Sequence, residues 1–308
     1  MSSTALPWVS GDDMANTLTM AQAISAIQRD LRGGLDPAQD LSRIINTLEH
    51  GQLLYMPSRF GDFVGAKVST VAPANPERGL ERINGIYVLM DSTTLQPIML
   101  LDGQALTALR TPAVTGAVAA LLAPERVDQL VVFGSGAQAW GHVEAMRAIR
   151  DVVRVCVVAR DDARSTALVQ RLRASGQRAD VGSAREVEEA QVVVCATTAR
   201  TPLFDGGTIG DDVLVVAVGS HEPDARELDA ATIARSQVVV EDPGVALREA
   251  GDVIIAITEG QYDGSELVAM RDVLTGMVAV DRTRPRVFKS SGMPWEDLVI
   301  AAEIYRSR

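Results

Sequence analysis

The 308-residue sequence is poor in the residues that form disulfides and metal centres. It has two cysteines, Cys156 and Cys195, and three histidines, His50, His142 and His221. Each cysteine lies within a β-branched run, which is typical of a small buried core residue in a reducing compartment. The histidines lack metal-ligand spacing. We therefore expect no disulfide, no bound metal and a cytoplasmic location.

Basic residues are outnumbered by acidic ones, which argues against further classes of partner. The chain has 29 Lys and Arg against 40 Asp and Glu, a formal net charge of −11. Nucleic-acid binding depends on clustered cations, so no nucleic-acid partner is expected. No apolar run approaches the roughly 18–20 residues needed to span a bilayer. The first residues, MSSTALPWVSGDDMANT, lack the basic start and apolar stretch of a secretory signal, so neither export nor a membrane partner is expected.

The sequence contains two regions of different pattern. From about residue 130 to 260, short apolar runs alternate with helical stretches, as in a doubly wound parallel sheet buried on both faces. The predicted strands are 130–133, 154–159, 192–196, 213–218 and 237–240, and the predicted helices are 137–149, 163–174 and 227–234. The first hundred residues predict an amphipathic helix over 19–32 and antiparallel strands over 53–56, 63–71, 83–90 and 97–101.

The predicted fold class is therefore α/β, a Rossmann doubly wound parallel sheet with an α+β N-terminal domain. A long helix over 104–122, which Pro112 kinks or interrupts, links the two regions. A C-terminal helix over 295–305 is expected to pack on the first domain. We assign residues 1–112 and 290–308 to the N-terminal domain and residues 113–289 to the Rossmann domain.

A glycine-rich turn directly follows the strand at 130–133 and opens the next helix. It consists of Gly134, Ser135, Gly136, Ala137 and Gln138. The first glycine permits a tight turn, the second lets the backbone approach a pyrophosphate, and the helix N-terminus supplies N–H groups for the anion. These residues are predicted to bind a dinucleotide. The alternative, a turn without a ligand, is disfavoured by the strand and helix on either side.

The ends of later strands predict which dinucleotide is bound. Arg160 stands where an NAD enzyme usually has Asp or Glu, and its guanidinium suits a 2′-phosphate, so NADP(H) is favoured. Asp161 and Asp162 keep NAD(H) open, and a solvated Arg160 is the alternative. Further polar turns are predicted to line the ribose and nicotinamide, or else are ordinary strand-ending turns; they contain Thr197, Val218, Gly219 and Ser220.

Several polar residues lie in apolar surroundings. Arg110 and Thr111 belong to an otherwise small and apolar helix, where a buried guanidinium needs an anion. That anion is either a carboxylate of the protein that bridges the domains or a substrate carboxylate or cofactor phosphate. Lys67 lies in a strand, either in water or buried as an acid or base. Arg43, by its pattern alone, is predicted to be a surface charge.

The sequence resembles the ornithine cyclodeaminase/mu-crystallin family over most of its length. The motifs that carry the resemblance are LDGQALTALRTPA at 101–113, GSGAQ at 134–138, VGS at 218–220 with ELD at 227–229, and FKSSG at 288–292 with EDL at 296–298. The resemblance implies a homodimer, an N-terminal substrate-binding and dimerisation domain, and a Rossmann domain for NAD(H) or NADP(H). It implies that Arg43, Lys67 and Arg110 gather the substrate's α-carboxylate and reacting nitrogen. Thr111 and Ser290, which lie within these motifs, join the predicted cofactor-binding residues.

Two departures from the family pattern bear on the activity. His221 occupies the place of the aspartate that is catalytic in cyclodeaminases, and Leu54 replaces the glutamate that grasps ornithine's distal amine. The loss of both acids argues against ornithine as substrate.

The remaining pattern predicts an NAD(P)H-dependent ketimine reductase acting on Δ1-pyrroline-2-carboxylate or Δ1-piperideine-2-carboxylate. Arg110 and Arg43 would clamp the carboxylate, Lys67 would serve the imine nitrogen, and Leu54 would provide an apolar wall. His221 is either an alternative acid or a plain loop residue. The alternatives are an L-amino-acid dehydrogenase, an ornithine cyclodeaminase and a non-enzymatic, mu-crystallin-like binding protein.

Overall fold

The computed structural model describes residues 5–308, which form two compact units. The first unit runs to Thr111 and includes Met293–Arg308, and the second is Pro112–Gly292. The predicted division placed Pro112 and residues 290–292 in the first unit instead. The first four residues of the segment analysed as a possible secretory signal lie outside the described part of the chain.

The elements are numbered in chain order. The strands are β1 Trp8–Val9, β2 Ile44–Leu48, β3 Gly51–Phe60, β4 Phe63–Val71, β5 Ile83–Asp91, β6 Pro97–Asp102, β7 Arg126–Phe133, β8 Asp151–Val158, β9 Ala179–Val181, β10 Val192–Cys195, β11 Leu214–Ala217, β12 Gln237–Val240, β13 Val268–Ala269 and β14 Arg286–Lys289. The helices are α1 Gly11–Thr17, α2 Met20–Arg32, α3 Gly103–Leu122, α4 Ala137–Ile149, α5 Asp162–Ala174, α6 Ala230–Ala234, α7 Pro243–Glu249, α8 Gly251–Thr258, α9 Met270–Leu274 and α10 Pro294–Arg306.

The first unit contains a six-stranded sheet in the order β1-β6-β5-β4-β3-β2. Strands β2 to β6 pair antiparallel along the chain, and β1 joins β6 in parallel. Helix α2 begins with a capping box between Thr19 and Gln22 and buries Ile24, Ile27 and Leu31. The predicted amphipathic helix and antiparallel strands are thus confirmed. Strand β2 was missed because its side chains are all exposed. A strand with no buried face need not alternate apolar and polar residues, so its sequence carries no strand pattern.

Helix α3 is continuous through Pro112. Asp102 caps its start, since one carboxylate oxygen accepts hydrogen bonds from the N–H groups of Gln104 and Ala105. The expectation that no apolar stretch reaches membrane-spanning length was wrong for this segment. Among the described residues α3 is the one helix long and apolar enough by composition, and most of it is buried within the protein. A core helix buried on all sides is apolar all round, with Arg110 its sole charge.

The second unit contains an eight-stranded, wholly parallel sheet in the order β13-β12-β14-β11-β10-β7-β8-β9. This confirms the doubly wound Rossmann prediction. Cys156 and Cys195 lie buried in β8 and β10 as free thiols. Strand order reverses at β7, with β8 on one side and β10 on the other. The crevice outside the carboxyl ends at such a reversal is where open α/β sheets bind ligands.

Candidate active site

In the first unit Lys67 lies at the centre of a buried polar cluster. Its side chain on β4 points to the same face of the sheet as its cross-strand partners Met56 and Tyr87. The ammonium donates to Thr107 Oγ1 at 3.0 Å and lies 2.8 Å from Asp297 Oδ2. Lys67 is only 3% exposed. The solvent-facing alternative for Lys67 is therefore wrong.

Arg110, on α3, belongs to the same cluster. Its Nη1 donates to Glu296 Oε2, and its Nε lies 3.4 Å from Asp297 Oδ1. Glu296 and Asp297 are fully buried in the first turn of α10, and Glu296 also accepts a hydrogen bond from the backbone N–H of Met293. The structure thus supplies a carboxylate of the protein as the anion of Arg110. A guanidinium has five N–H donors, so this pairing is compatible with a second, external carboxylate.

The electrostatics of this cluster make Lys67 a candidate acid. Burial lowers the pKa of the Lys67 ammonium below its ordinary value of 10.5. The Asp297 carboxylate acts in the opposite direction, and the Arg110 guanidinium adds to the lowering. Two cations face two carboxylates, so the cluster is formally neutral. A lysine with a lowered pKa can release its proton at moderate pH, which a guanidinium cannot do.

The other predicted substrate residues lie in the same unit. Leu54, on β3, is 6% exposed and pairs across the strands with Ser69, two residues from Lys67 on the same face. Leu54 therefore adds an apolar side chain to the face that carries Lys67. Arg43 is half-buried at the residue before β2. Its role at a substrate carboxylate stays a prediction.

In the second unit the glycine-rich turn joins β7 to α4. Gly134 has a φ of 113°, and a Cβ there would lie 2.4 Å from the carbonyl oxygen of Ala196. Only glycine fits this position. Gly136 is the N-cap of α4 and has no side chain to cap the helix, while a Cβ added to it would meet nothing within 4 Å. Open space beside uncapped N–H groups fits a dinucleotide's pyrophosphate.

Ser135 and Gln138 are half-buried in this turn, and Ala137 is exposed. The Gln138 carbonyl accepts a hydrogen bond from His142 Nδ1 at 2.8 Å, one turn along α4. At the end of β8 Arg160 is exposed, and Asp161 caps α5 by accepting from the N–H of Arg164. Asp161 is thus engaged in capping, while Arg160 extends into solvent at the predicted ribose position.

A buried carboxylate builds the turns after β10 and β11. Glu227 Oε1 accepts hydrogen bonds from the backbone N–H and hydroxyl of Thr197, at 2.8 and 2.7 Å. Its Oε2 accepts from the N–H of Gly219 at 2.7 Å. A Cβ on Gly219 would lie 2.0 Å from the carbonyl oxygen of Thr197. Glu227 therefore holds the turn at Thr197 beside the turn at Val218 and Gly219. The Thr197 hydroxyl takes part in this structural contact by donating to Glu227.

A second buried pair supports the same loop. Asp252 Oδ1 accepts from the N–H groups of Glu227 and Leu228, and its Oδ2 lies 3.1 Å from Lys289 Nζ. Lys289 also donates to the carbonyl oxygen of Ser220. The half-buried His221 follows Ser220 in a loop that is thus fixed at both ends.

Ser290 is 2% exposed, and its hydroxyl donates to Glu241 Oε1 at 2.6 Å. The same carboxylate accepts from the N–H groups of Ser291 and Gly292. Ser290 therefore shapes the loop after β14, and its contact with a cofactor stays a prediction. Thr111 is 8% exposed on α3 beside Arg110, and its contact with a cofactor also stays a prediction.

No role was predicted from sequence for the acids and the lysine that hold these sites together. Glu227, Lys289, Glu296 and Asp297 were noted only as parts of family motifs, and Asp252 was not selected. Strand β14 was not predicted because it has four residues and the charged Arg286 and Lys289 occupy its ends. Both are buried, but in sequence they leave an apolar run of only two residues. A usable signal was available, because Lys67 and Lys289 are the only lysines in the sequence.

The comparisons with known proteins agree over nearly the whole chain. The model of the ornithine cyclodeaminase/mu-crystallin family matches residues 9–308. The chain is 35% identical over 266 residues to a Delta(1)-pyrroline-2-carboxylate reductase of Bacillus cereus, covering 83% of this chain and 82% of that protein. It is 36% identical over 249 residues to a Delta(1)-pyrroline-2-carboxylate/Delta(1)-piperideine-2-carboxylate reductase of Azospirillum brasilense, covering 80% and 78%. The structure of a Thermococcus litoralis Delta(1)-pyrroline-2-carboxylate reductase in complex with NADH and L-proline is similar, with a TM-score of 0.92, 27% identity and coverage of 98% and 97%.

Proposed function

Because the chain belongs to the ornithine cyclodeaminase/mu-crystallin family, we propose that it reduces the C=N bond of a cyclic 2-imino acid with NAD(P)H. The substrates are Δ1-pyrroline-2-carboxylate and Δ1-piperideine-2-carboxylate, and the product is the L-amino acid. The relatives' names confirm the predicted class, an oxidoreductase acting on C=N. The observation that carries the proposal is the buried Lys67 ammonium, held between Thr107 and Asp297.

Each predicted substrate-binding residue of the first unit has a role in this reaction. Lys67 donates the proton that the imine nitrogen carries during reduction, and Asp297 orients the ammonium. Arg110, with Arg43, binds the substrate carboxylate. Leu54 contacts the apolar ring of the substrate. A substrate with a distal amine, such as ornithine, would need a carboxylate at this position instead. Bound NAD(P)H supplies a hydride to the imine carbon.

The turn at Gly134 and Gly136 holds the pyrophosphate of the dinucleotide, with Ser135, Ala137 and Gln138 around it. We propose that NADPH is preferred over NADH. Support comes from Arg160, an exposed guanidinium at the end of β8, where a 2′-phosphate would lie. His221 stands in the fixed loop after β11 and is the second candidate for the proton donor.

We also propose a homodimer that uses the exposed face of the first unit's sheet. The apolar side chains Ile44, Tyr55, Val68 and Ile86 are successive cross-strand partners in β2 to β5. They are 39–53% exposed and form a row across four strands. A contiguous apolar patch of this kind is typical of a protein interface. A cytoplasmic location is proposed with it, because the two buried cysteines are free thiols.

The test follows the absorbance of NADPH with Δ1-pyrroline-2-carboxylate and Δ1-piperideine-2-carboxylate as substrates, with NADH in parallel. Rapid oxidation with either ring is expected, at lower KM for NADPH. Pyruvate with ammonia serves as the open-chain control. Turnover with the open-chain pair alone would replace the proposal with an amino-acid dehydrogenase. No turnover with any substrate, despite nucleotide binding, would favour a binding protein.

A further inference from the structure

Three buried ionisable side chains surround the base of the turns after β10 and β11. Glu227 and Asp252 are fully buried and Lys289 is 1% exposed. They form one connected network, because Asp252 pairs with Lys289 and accepts from the backbone N–H of Glu227. The reaction roles given above do not account for why so much charge is buried here. Burying a charge costs several kcal/mol, and a buried ion pair is poor evidence for stability as such.

Both acids accept hydrogen bonds in the way that ionised carboxylates do. The oxygens of Glu227 accept from the backbone N–H groups of Thr197 and Gly219 and from the Thr197 hydroxyl. Asp252 likewise accepts from two N–H groups and faces an ammonium. A carboxylate accepts at both oxygens, whereas a protonated carboxyl needs an acceptor for its own O–H. Burial raises the pKa of Glu227 above its ordinary value of 4.5, Asp252 adds to the rise, and Lys289 and the hydrogen bonds from Thr197 offset it only in part. Two negative charges and one positive charge leave a net charge of −1.

The network supports the two turns that are proposed to line the cofactor's reactive end. Glu227 bonds the two turns that are proposed to line the ribose and nicotinamide, at Thr197 and Gly219. Both follow the carboxyl ends of central strands beside the reversal at β7, where ligands of such sheets bind. The carbonyl of Ala196, one residue before Thr197, lies so close to Gly134 of the pyrophosphate turn that a Cβ there would be 2.4 Å from it.

Hydride transfer changes the charge at this end of the cofactor. A C–H bond of the neutral dihydronicotinamide breaks, a C–H bond forms at the imine carbon, and the C=N π electrons pass to the protonated nitrogen. The ring is left as a pyridinium cation. We propose that the network of Glu227, Asp252 and Lys289 stabilises this cation relative to the neutral ring and thereby favours hydride donation. The inference rests on the proposed function, since it assumes a nicotinamide nucleotide at these turns.

The test is the ratio of two dissociation constants, for NADP⁺ and NADPH, measured by titration calorimetry without substrate. Glu227→Gln removes one charge at nearly constant shape. It is expected to raise the ratio of the NADP⁺ constant to the NADPH constant about five-fold, the order expected for a unit charge several ångströms away. Glu222→Gln is the matched control, because Glu222 lies in the same loop but is half-exposed and paired with Arg200. That variant should leave the ratio unchanged.

A merely structural role predicts something different, since a distorted turn weakens both forms alike. Equal weakening in Glu227→Gln would therefore overturn the inference. Asp252→Asn, which keeps the acceptor for the two N–H groups, should shift the ratio the same way and serves if Glu227→Gln does not fold. In the unaltered chain, NADPH bound more than about ten-fold tighter than NADP⁺ would also contradict the inference. Failure to bind either nucleotide would instead overturn the proposed function.

Discussion

Lys67 Nζ lies 2.8 Å from Asp297 Oδ2, although 230 residues separate the two in sequence. Lys67 and Lys289 are the only lysines in the chain, and the other residues among its 29 Lys and Arg are arginines. Each lysine is buried and paired with an aspartate. Lysine differs from arginine in being able to lose a proton. A lysine at position 67 allows proton transfer there, which an arginine would not.

Replacement of Lys67 by arginine separates charge from proton transfer. Lys67→Arg keeps the positive charge next to Asp297 but cannot release a proton at accessible pH. We expect kcat with a cyclic imino acid to fall about 100-fold or more, the usual contribution of a general acid, while NADPH binding is unchanged. Steady-state kinetics and nucleotide titration measure the two effects. A kcat within about three-fold of the unaltered chain would show that charge alone suffices and would move the proton donor to His221.

The pH dependence of kcat should report the lowered pKa of Lys67. The protonated form is the active one, so activity is lost as pH rises through a pKa that burial places below 10.5. Asp297→Asn removes the carboxylate that opposes this lowering, so the alkaline limb should move to lower pH. Glu303→Gln, on the same helix α10, is the control and should leave the limb in place. An unmoved limb in Asp297→Asn would exclude Lys67 as the titrating acid.

The pairing of Glu296 with Arg110 should be visible in stability. Glu296→Gln leaves a buried guanidinium with less compensation, and breaking a buried pair in this way costs about 3 kcal/mol. The free energy of unfolding in urea measures the loss. The control is again Glu303→Gln, whose carboxylate pairs with the half-exposed Arg29 and whose loss should cost less than about 1 kcal/mol. An equal loss of unfolding free energy in both variants would contradict the prediction that the buried pair contributes more to stability than the half-exposed one.

The sequence permits prediction of the Rossmann sheet because strands buried on both faces are continuous apolar runs. The strand at Gln237–Val240 and the helix at Ala137–Ile149 were predicted with the bounds the structure has. In the first unit β3 to β6 were predicted, and β2 was missed because all of its side chains are exposed.

The candidate site was predictable only in part. Lys67 and Arg110 stand out as charges in apolar segments, and the family motifs gave them roles. Their partner Asp297 is distant in sequence, and no local pattern indicates that α10 brings it to β4. Glu227 looks in sequence like an ordinary helix-start acid; its burial follows from the packing of two strand-end turns against each other.

His142 predicts a second pH effect, on stability. It is fully buried, its Nδ1 donates to the Gln138 carbonyl, and its Nε2 accepts from the Thr115 hydroxyl at 3.0 Å. Burial lowers the pKa of His142 from 6.5 to about 4. Between these values the unfolded chain binds a proton that the folded chain does not, so stability falls as pH falls, by about 3 kcal/mol from this group.

Urea unfolding near neutral pH and again close to the lowered pKa measures this effect. His142→Gln should reduce the difference in unfolding free energy between the two conditions. His50→Gln is the matched control, because the His50 side chain is 88% exposed, and it should leave the difference unchanged. Identical pH dependence in both variants would show that other groups dominate acid destabilisation.

The apolar row on the first unit's sheet predicts how the proposed dimer can be broken. Val68 pairs with Tyr55 on one side and Ile86 on the other, so a charge at Val68 would lie in the middle of the row. Burying an unpaired carboxylate in an interface costs several kcal/mol, and Val68→Glu should therefore convert the dimer to monomer in sedimentation velocity. Met277→Glu introduces the same charge at an apolar side chain that is 75% exposed in the second unit, and should leave the dimer intact. A dimer that survives Val68→Glu would mean that the subunits associate through another surface, and a monomeric unaltered chain would remove the dimer from the proposal.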